Sequence, residues 1–221
     1  MERGKYSGPR EVSVIRWSWG LVLAGTLALV TAARADDSSA TAVVNRLDTA
    51  LLDAMKQGDT GGYQGRFDRL APVMRQAFDF DLMAEKSLGN AWSGLSDADK
   101  ARWRDLFSEF TIANYAANFD RFTGQQFQIV GEEASVNDTK LVKTRVLTPG
   151  ADPVDLTYRL QKGTGGWRIV DVYLNGTVSE LALRRSDYAS VLQRDGFDAL
   201  ATVVRGKITD LAAGRGKRER P

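Results

Sequence analysis

The sequence feature that most constrains the fold is a change in hydrophobic spacing at Gly124. Before this residue, apolar side chains recur every three or four positions, as on the buried face of a helix. After it, apolar and polar residues alternate in four segments, which short turn sequences such as Asn137-Asp138 and Pro149-Gly150 separate. Because short joints connect antiparallel neighbours, the pattern predicts a four-stranded, mainly antiparallel curved sheet.

Along the chain, helices are predicted both before and after this sheet. Helical spacing indicates four helices before Gly124 and two after the last strand, the final one ending at Gly214. The helices before the sheet are predicted to cover about 43–55, 63–78, 80–88 and 96–122, and the strands 127–130, 140–147, 153–161 and 167–174. The chain is therefore predicted to be α+β, with N-terminal and C-terminal helices packed on one sheet.

The stretch 166–188 joins the sheet to the last helices. Both faces of its strand carry mainly apolar residues, which indicates an inner strand that is covered on at least one face. Asn175-Gly176 then predicts a turn, after which helical spacing resumes.

Asp171 is the one carboxylate in that strand. Strict alternation puts it on the same face as Ile169 and Tyr173, so we expect it to be partly buried. A buried carboxylate needs a partner, which Arg184 or Arg185 could supply. We interpret Asp171 as structural before catalytic.

The N-terminal residues have the pattern of an export signal. Basic residues precede an apolar run over 17–30, and Ala33-Arg34-Ala35 has the small residues of a cleavage site. The run is shorter than the roughly 20 residues that span a membrane. We therefore predict a cleaved signal peptide over 1–35 rather than an uncleaved anchor, a single domain over 36–213, and a disordered basic tail over 214–221.

Composition excludes several kinds of chemistry. The chain has no Cys and no His, so Cys nucleophiles, Ser-His-Asp triads, His-based zinc sites and His general bases are excluded. The predicted signal peptide holds the basic excess, and the remainder is close to neutral, so the charge gives no support for nucleic-acid binding. We predict no cofactor, no metal and no enzymatic activity.

Bulky apolar side chains are concentrated between residues 80 and 127. For any one of them, packing between a helix and the sheet is the simpler interpretation. Together they exceed what one helix–sheet layer usually needs, so a curved sheet lined by them could enclose a ligand cavity.

Several short motifs carry a resemblance to a known family. In chain order they are Phe78-Asp79-Phe80-Asp81, Leu88-Gly89-x-x-Trp92, Leu95-Ser96, Trp167-Arg168-Ile169-Val170-Asp171-Val172, Gly176-x-x-Ser179, Arg185-x-x-Tyr188, Gly196-Phe197, Leu200 and Lys207. Their order and spacing resemble the MlaC family of periplasmic lipid-binding proteins over about 43–211. The run 176–186 is most similar to the hopanoid-associated HpnM branch. Arg184 is a departure, because the main branch more usually has an aromatic residue there.

The resemblance implies a curved sheet and helices around an apolar pocket, and carriage of a membrane lipid, a hopanoid or a phospholipid, through the periplasm. It implies an inner-membrane partner, either a lipid ABC transporter or an RND-type exporter, and no catalysis. We predict that the lipid tail contacts Phe80, Met83, Phe107, Phe110, Tyr115, Phe119, Leu156, Tyr158, Val172 and Leu174. Arg184 or Arg185 would meet the headgroup or a partner.

Two alternatives remain open from the residues alone. An enzyme on the same cone-shaped fold would use Asp171 and Tyr173 as acid and base. A periplasmic scaffold subunit without ligand would have a filled core and no cavity.

Overall fold

The computed structural model describes residues 39–57 and 61–215, which form helices, then an antiparallel sheet, then a long kinked helix. The elements are α1 (Ala40–Lys56), α2 (Gly62–Ala77), α3 (Phe80–Leu88), a 3₁₀ helix (Gly89–Gly94), α4 (Asp97–Asn118), β1 (Gln126–Ser135), β2 (Thr139–Leu147), β3 (Val154–Gly163), β4 (Gly166–Leu174), β5 (Val178–Ser179) and α5 (Glu180–Ala212). The predicted α+β class is confirmed. The predicted signal peptide and residues 216–221 of the predicted tail lie outside the described residues.

Side-chain caps start four of the five α-helices in the described residues. Ser39, Asp79, Ser96 and Ser179 each accept a hydrogen bond from a backbone N–H of the first turn, at α1, α3, α4 and α5 respectively. Among the described residues, every helix is too short or too polar to span a bilayer.

The predicted end of α4 is wrong, because the helix stops at Asn118 and not near residue 122. Phe119 leaves helical geometry, with φ −96° and ψ 61°. Its ring stacks on Tyr115 at 5.6 Å and lies 6.1 Å from Phe127 of β1. Packing against the sheet therefore stabilises the non-helical conformation at a position where the apolar spacing still indicated helix.

The sheet has five strands in the order β1-β2-β3-β4-β5, each antiparallel to the next. The prediction of four strands missed β5, whose residues pair with Tyr173 and Leu174 across the Asn175-Gly176 turn. Two residues are too few to show an alternating pattern, so sequence spacing could not reveal this strand.

A bulge in β4 corrects the predicted strand faces. Cross-strand partners share a face of an antiparallel sheet, and the pairs between β3 and β4 are Leu156 with Leu174, Tyr158 with Val172, Arg159 with Asp171 and Leu160 with Ile169. The register shifts at Val170, so Ile169 lies on the inner face with Val172, whereas Asp171 lies on the outer face with Tyr173. Strict alternation cannot anticipate the extra residue.

The two faces of the sheet differ in polarity, as the alternation of apolar and polar residues along the strands indicates. The outer face is polar, and it carries the ion pairs Arg145–Asp155 at 2.6 Å and Lys143–Glu133 at 2.7 Å. The inner face is mainly apolar and is covered by helices. α1 packs directly on β1, β2 and β4, whereas α4 packs mainly on α2, α3 and α5.

α5 contains both predicted C-terminal helices. They meet at Gly196, whose φ of 81° and ψ of −177° interrupt the helix and suit a glycine. We call residues 180–195 the first half and residues 197–212 the second half. Both halves contact Trp103 of α4, through Tyr188 at 5.1 Å and Phe197 at 6.1 Å.

Candidate functional site

An apolar cavity of about 280 Å³ lies between α4 and the inner face of the sheet, beside the start of α5. Its lining is mainly hydrocarbon, and the described residues that form it carry two charged groups, Glu180 and Arg184. The lining residues are Phe78, Met83, Phe107, Thr111, Asn114, Tyr115, Asn118, Phe119, Val146, Val154, Leu156, Val172, Leu174, Glu180, Leu181 and Arg184. Such a space suits an apolar group and offers little to a charged one.

One wall is a single stripe of α4. Phe107, Thr111, Asn114 and Asn118 follow one another at helical spacing and face the sheet. Two of the polar side chains bond to their own helix, since Thr111 Oγ1 donates to the Phe107 carbonyl at 2.9 Å and Asn118 Nδ2 to the Asn114 carbonyl at 2.8 Å. Their polar atoms are thereby satisfied within the helix, which lowers the penalty of facing an apolar space.

The opposite wall consists of alternate residues of three strands. Val146 of β2 lies opposite Val154 of β3, and Leu156 of β3 lies opposite Leu174 of β4. Val172 completes this wall. All five are aliphatic, so the wall has no hydrogen-bonding side chains.

Aromatic rings close one end of the cavity. Phe78 meets Tyr115 edge to face at 5.8 Å, and Tyr115 stacks on Phe119 at 5.6 Å. The backbone holds Phe78 in place, because the N–H of Asp79 donates to the carbonyl of Ile169 in β4 at 2.9 Å. This bond explains why a short segment between α2 and α3 reaches the sheet.

Arg184 lies at the mouth, and Arg185 does not. The guanidinium of Arg184 stacks 4.6 Å from the centre of the Phe110 ring, and the residue lines the cavity. Arg185 lies against the turn after α3, where a Cβ atom built on Gly89 would be 2.6 Å from its Nε atom. Of the two arginines, Arg184 therefore lines the cavity, and its role with a headgroup or a partner stays a prediction.

Asp171 anchors the start of α5 from the outer face of the sheet. It accepts hydrogen bonds from Ser179 Oγ at 2.7 Å, from the Val172 N–H at 2.8 Å and from the Leu181 N–H at 3.3 Å. The predicted arginine partner is thus wrong, because β4, β5 and the start of α5 each supply one of these donors. Burial, and then the nearby Asp171 carboxylate, raise the pKa of Tyr173, so its phenol stays protonated at neutral pH.

Comparison with known proteins decides the family. The model of the family described as "MlaC protein" matches residues 45–205. The chain belongs to the MlaC family. The family prediction is confirmed, and assignment to the HpnM branch stays a prediction. No curated protein matches the chain.

A solved structure shares the MlaC fold seen here. It is described as a phospholipid-binding protein from Ralstonia solanacearum in complex with a phospholipid. It is 22% identical to this chain, with a TM-score of 0.69, and the likeness covers 79% of this chain and 99% of that one. At this level of identity, the likeness shows the fold.

Seven of the ten residues predicted to contact the lipid tail line the cavity: Met83, Phe107, Tyr115, Phe119, Leu156, Val172 and Leu174. The other three do not. Phe80 stacks behind Phe78 at 5.4 Å, Tyr158 is wholly buried in the core, and Phe110 faces a second cavity under Arg184. Sequence spacing shows that these three side chains are covered, but it does not specify which neighbouring element each one packs against. Their role with a lipid stays a prediction.

Sequence reasoning missed eight lining residues: Phe78, Thr111, Asn114, Asn118, Val146, Val154, Glu180 and Leu181. The helical stripe through Phe107 could have revealed Thr111, Asn114 and Asn118, but their polarity made them unlike tail contacts. The two valines also follow from alternation along their strands.

A buried acid lies in the packed core beside Tyr158. Asp48 of α1 is buried, its Oδ1 atom has no hydrogen-bond partner, and burial raises its pKa to about 7. Burial, with Tyr115 and Asp48 nearby, raises the pKa of the Tyr158 phenol well above its usual value. In the described part of the chain, no three acidic side chains come together as a metal site would need.

Proposed function

We propose that this MlaC-family protein is a periplasmic carrier, which binds a membrane lipid in the cavity between α4 and the sheet. It shuttles the lipid to or from membrane transport machinery. The observation that carries the proposal is the apolar cavity, whose two charged lining residues, Glu180 and Arg184, both belong to the start of α5. A mainly apolar interior with its charged groups on one side matches an amphipathic ligand.

The physical need for a carrier comes from the contact of hydrocarbon with water. Each methylene exposed to water costs about 0.8 kcal/mol, so a tail of roughly 16 carbons faces a barrier on the order of 10 kcal/mol. Aliphatic walls such as Leu156 and Val172 replace the bilayer around part of the chain and lower that barrier. Exchange between bilayer and cavity then has a small net free energy, which allows release as well as uptake.

The ligand class is a membrane lipid, either a phospholipid or a hopanoid. The related fold from Ralstonia solanacearum, described in complex with a phospholipid, supports the first. The resemblance of residues 176–186 to the hopanoid-associated branch supports the second. The cavity is close to the lower end of the range of about 300–1,000 Å³ for ligand pockets, so part of the ligand would extend past the mouth.

The transport partners would be membrane-embedded. A lipid ABC transporter fits the main branch of the family and an RND-type exporter fits the hopanoid branch. Family membership and the predicted signal peptide over 1–35 support a periplasmic location. We propose no nucleic-acid partner.

No observation favours an enzyme. Asp171 and Tyr173 lie on the outer face of the sheet, and neither lines the cavity. The hydrogen bonds of Asp171 are used to hold the start of α5. The scaffold alternative predicts a filled core, which does not agree with an apolar space of about 280 Å³.

The test combines lipid analysis with filling of the cavity. Protein purified from its native periplasm is expected to release lipid that mass spectrometry detects. Leu156→Trp with Val172→Trp places two indoles in the cavity and should reduce bound lipid at least about ten-fold. The matched control, Val130→Trp with Val136→Trp, adds the same bulk at exposed positions and should retain the lipid.

Two results would contradict the proposal. One is wild-type protein without lipid; the other is a cavity-filled variant that folds and still carries the wild-type amount.

A further inference from the structure

One long edge of the sheet is open among the described residues. β1 stands at the end of the strand order and pairs only with β2, so the other side of its ten residues presents backbone groups that no described strand meets. Such an edge is a ready template for a further strand, and proteins usually shorten or cover it. The opposite edge, β5, has only two residues. β1 is therefore the edge that can accept a partner strand.

Exposed apolar side chains mark the same edge. Among the described residues, the two most exposed large apolar side chains are Val136 at 63% and Val130 at 57%. Val130 lies in the bulge of β1, where the pairing with β2 shifts, and Val136 directly follows the strand. A partner that covers this edge would remove both side chains from water.

The acids of β1 are already paired within the chain. Glu132 forms an ion pair with Lys140 of β2 and accepts from the hydroxyl of Thr41 at 2.6 Å, and Glu133 pairs with Lys143 at 2.7 Å. Charged residues protect an edge when a partner strand would bring uncompensated charge against it. Because each carboxylate here has its own lysine, the acids do not prevent pairing.

The order of residues along β1 suits a second copy of the same strand. When two such strands pair antiparallel, the N-terminal half of one lies opposite the C-terminal half of the other. The N-terminal half, Gln126 to Ile129, is uncharged, and the C-terminal half carries Glu132 and Glu133. The acids of the two copies therefore do not face each other, as like charges directly opposite would be destabilising.

The bulge selects a register in which the two faces of the strand also match. The pairing with β2 puts alternate residues on the inner face, and the shift at Val130 resets the alternation. When Val130 lies opposite Gly131 of the other copy, inner residues meet inner residues and outer residues meet outer residues. The pairs are then Phe127 with Ala134, Ile129 with Glu132, Gln128 with Glu133 and Gln126 with Ser135.

We propose that two copies of this chain form a two-fold dimer through their β1 edges, which joins their sheets into one continuous sheet. The same strand serves both copies, as a closed two-fold interface requires. Glu180 and Arg184 of the cavity wall follow β5, at the opposite edge of the sheet, so the dimer leaves that side of the cavity open. The proposal goes beyond the carrier function and does not depend on it.

The first test is the association of the mature chain, measured by sedimentation equilibrium from micromolar to millimolar concentration. Val130→Lys places two lysines near the two-fold axis and should weaken association at least about ten-fold. Val203→Lys, at an exposed position of α5, is the matched control and should associate like the wild type. An equimolar mixture of Val130→Lys and Val130→Glu should associate again, because opposite charges then meet. Circular dichroism melting checks that each variant is folded.

The second test is a cross-link that reports the register. The chain has no Cys, so introduced cysteines have no competitor. Gln126→Cys with Ser135→Cys puts the two thiols about 30 Å apart within one strand but directly opposite each other between copies. Since a disulfide needs Cα atoms within about 7 Å, mild oxidation should give a covalent dimer. Either single variant should stay unlinked, because each cysteine then lies far from its own copy.

The outcomes are distinct. Wild-type protein that stays monomeric over the whole concentration range would overturn the dimer and leave this edge to an extended segment of another protein. A dimer that Val130→Lys and Val203→Lys weaken equally would overturn the β1 interface. A dimer whose cysteine pair does not cross-link would overturn the antiparallel register. Dimerisation, selective loss in Val130→Lys and cross-linking of the double variant together would establish the interface.

Discussion

The inner face of the sheet is closely packed at one end and lines a cavity at the other. Along β3, Tyr158 and Leu160 are wholly buried in the core, whereas Leu156, two residues away, lines the cavity. The difference comes from the covering helix: α1 rests directly on the strands, and α4 packs on other helices and leaves a gap. Alternation in a strand thus indicates which face is covered, but not whether the covered face is filled.

The two regions divide two tasks. The packed region supplies stability through close contact between its side chains. Shortening one of them loses that contact and leaves a cavity. The hollow region gives up such contact, so a ligand can supply it. Substitutions in the two regions should therefore have opposite signatures: a large loss of stability with normal lipid binding, or little loss of stability with weakened lipid binding.

The largest effect on stability is expected in the packed region. Leu51→Ala removes a wholly buried side chain of α1 and should lower the free energy of unfolding by about 3 kcal/mol. Urea denaturation measures the change, and lipid content should stay at the wild-type level in the folded protein. A loss below about 1 kcal/mol would mean that this region is not tightly packed.

The next effect is a dependence of stability on pH that comes from Asp48. The pKa of this acid is about 7 in the folded protein and near 4 when unfolded, so the folded state binds more protons between these values. Stability should therefore fall as pH rises through this window, by about 2 kcal/mol from pH 5 to pH 7, and level off above it.

Asp48→Asn should remove this fall, because an amide does not ionise. Asp53→Asn on the exposed side of the same helix is the control and should keep the wild-type profile. Denaturation at several pH values gives the comparison. A fall that persists in Asp48→Asn would assign the titration to another group.

A smaller effect on stability is expected from substitution of Gly89, the residue after α3 against which Arg185 lies. Gly89→Ala forces a side chain onto a residue with φ 56° and ψ −128°, and its Cβ would lie 2.6 Å from Arg185 Nε. We expect a loss of about 1–2 kcal/mol in the free energy of unfolding. Gly131→Ala has open space around the new Cβ, and a smaller change there is the expected contrast. Equal losses would show that backbone geometry at Gly89 is not restrictive.

The smallest effect on stability is expected in the hollow region. Leu156→Ala shortens a side chain that already faces empty space, so unfolding should change by less than about 1 kcal/mol. Bound lipid should nevertheless decrease, because the ligand loses contact with this wall. A loss as large as that of Leu51→Ala would mean that the cavity is closed in solution.

The sequence predicted the class of fold and most of its elements because their signals are local. Ser96 starts α4, Gly124 precedes the change to strands, and Asn175-Gly176 turns the chain after β4. The prediction failed where geometry depends on partners distant in sequence. The bulge at Val170 and the two-residue strand β5 arise from pairing between strands, which no local period records.

The same reasoning applies to the candidate site. Leu156 and Val172 could be placed on the cavity wall because alternation assigns them to the inner face. Tyr158 follows the same alternation as Leu156 but is packed in the core. The two residues differ in how closely a helix covers them, which alternation along the strand does not record. The second cavity, beside Phe110, was not predictable, since residues from both halves of α5 line it and only the break at Gly196 brings these halves together.

Crystallography with a phospholipid brominated on its acyl chain tests the central claim most directly. The anomalous signal of bromine reports where the hydrocarbon lies. We predict that the signal lies between α4 and the inner face of the sheet, beside Leu156 and Val172. A lipid-bound crystal whose bromine signal lies outside this space would contradict the account.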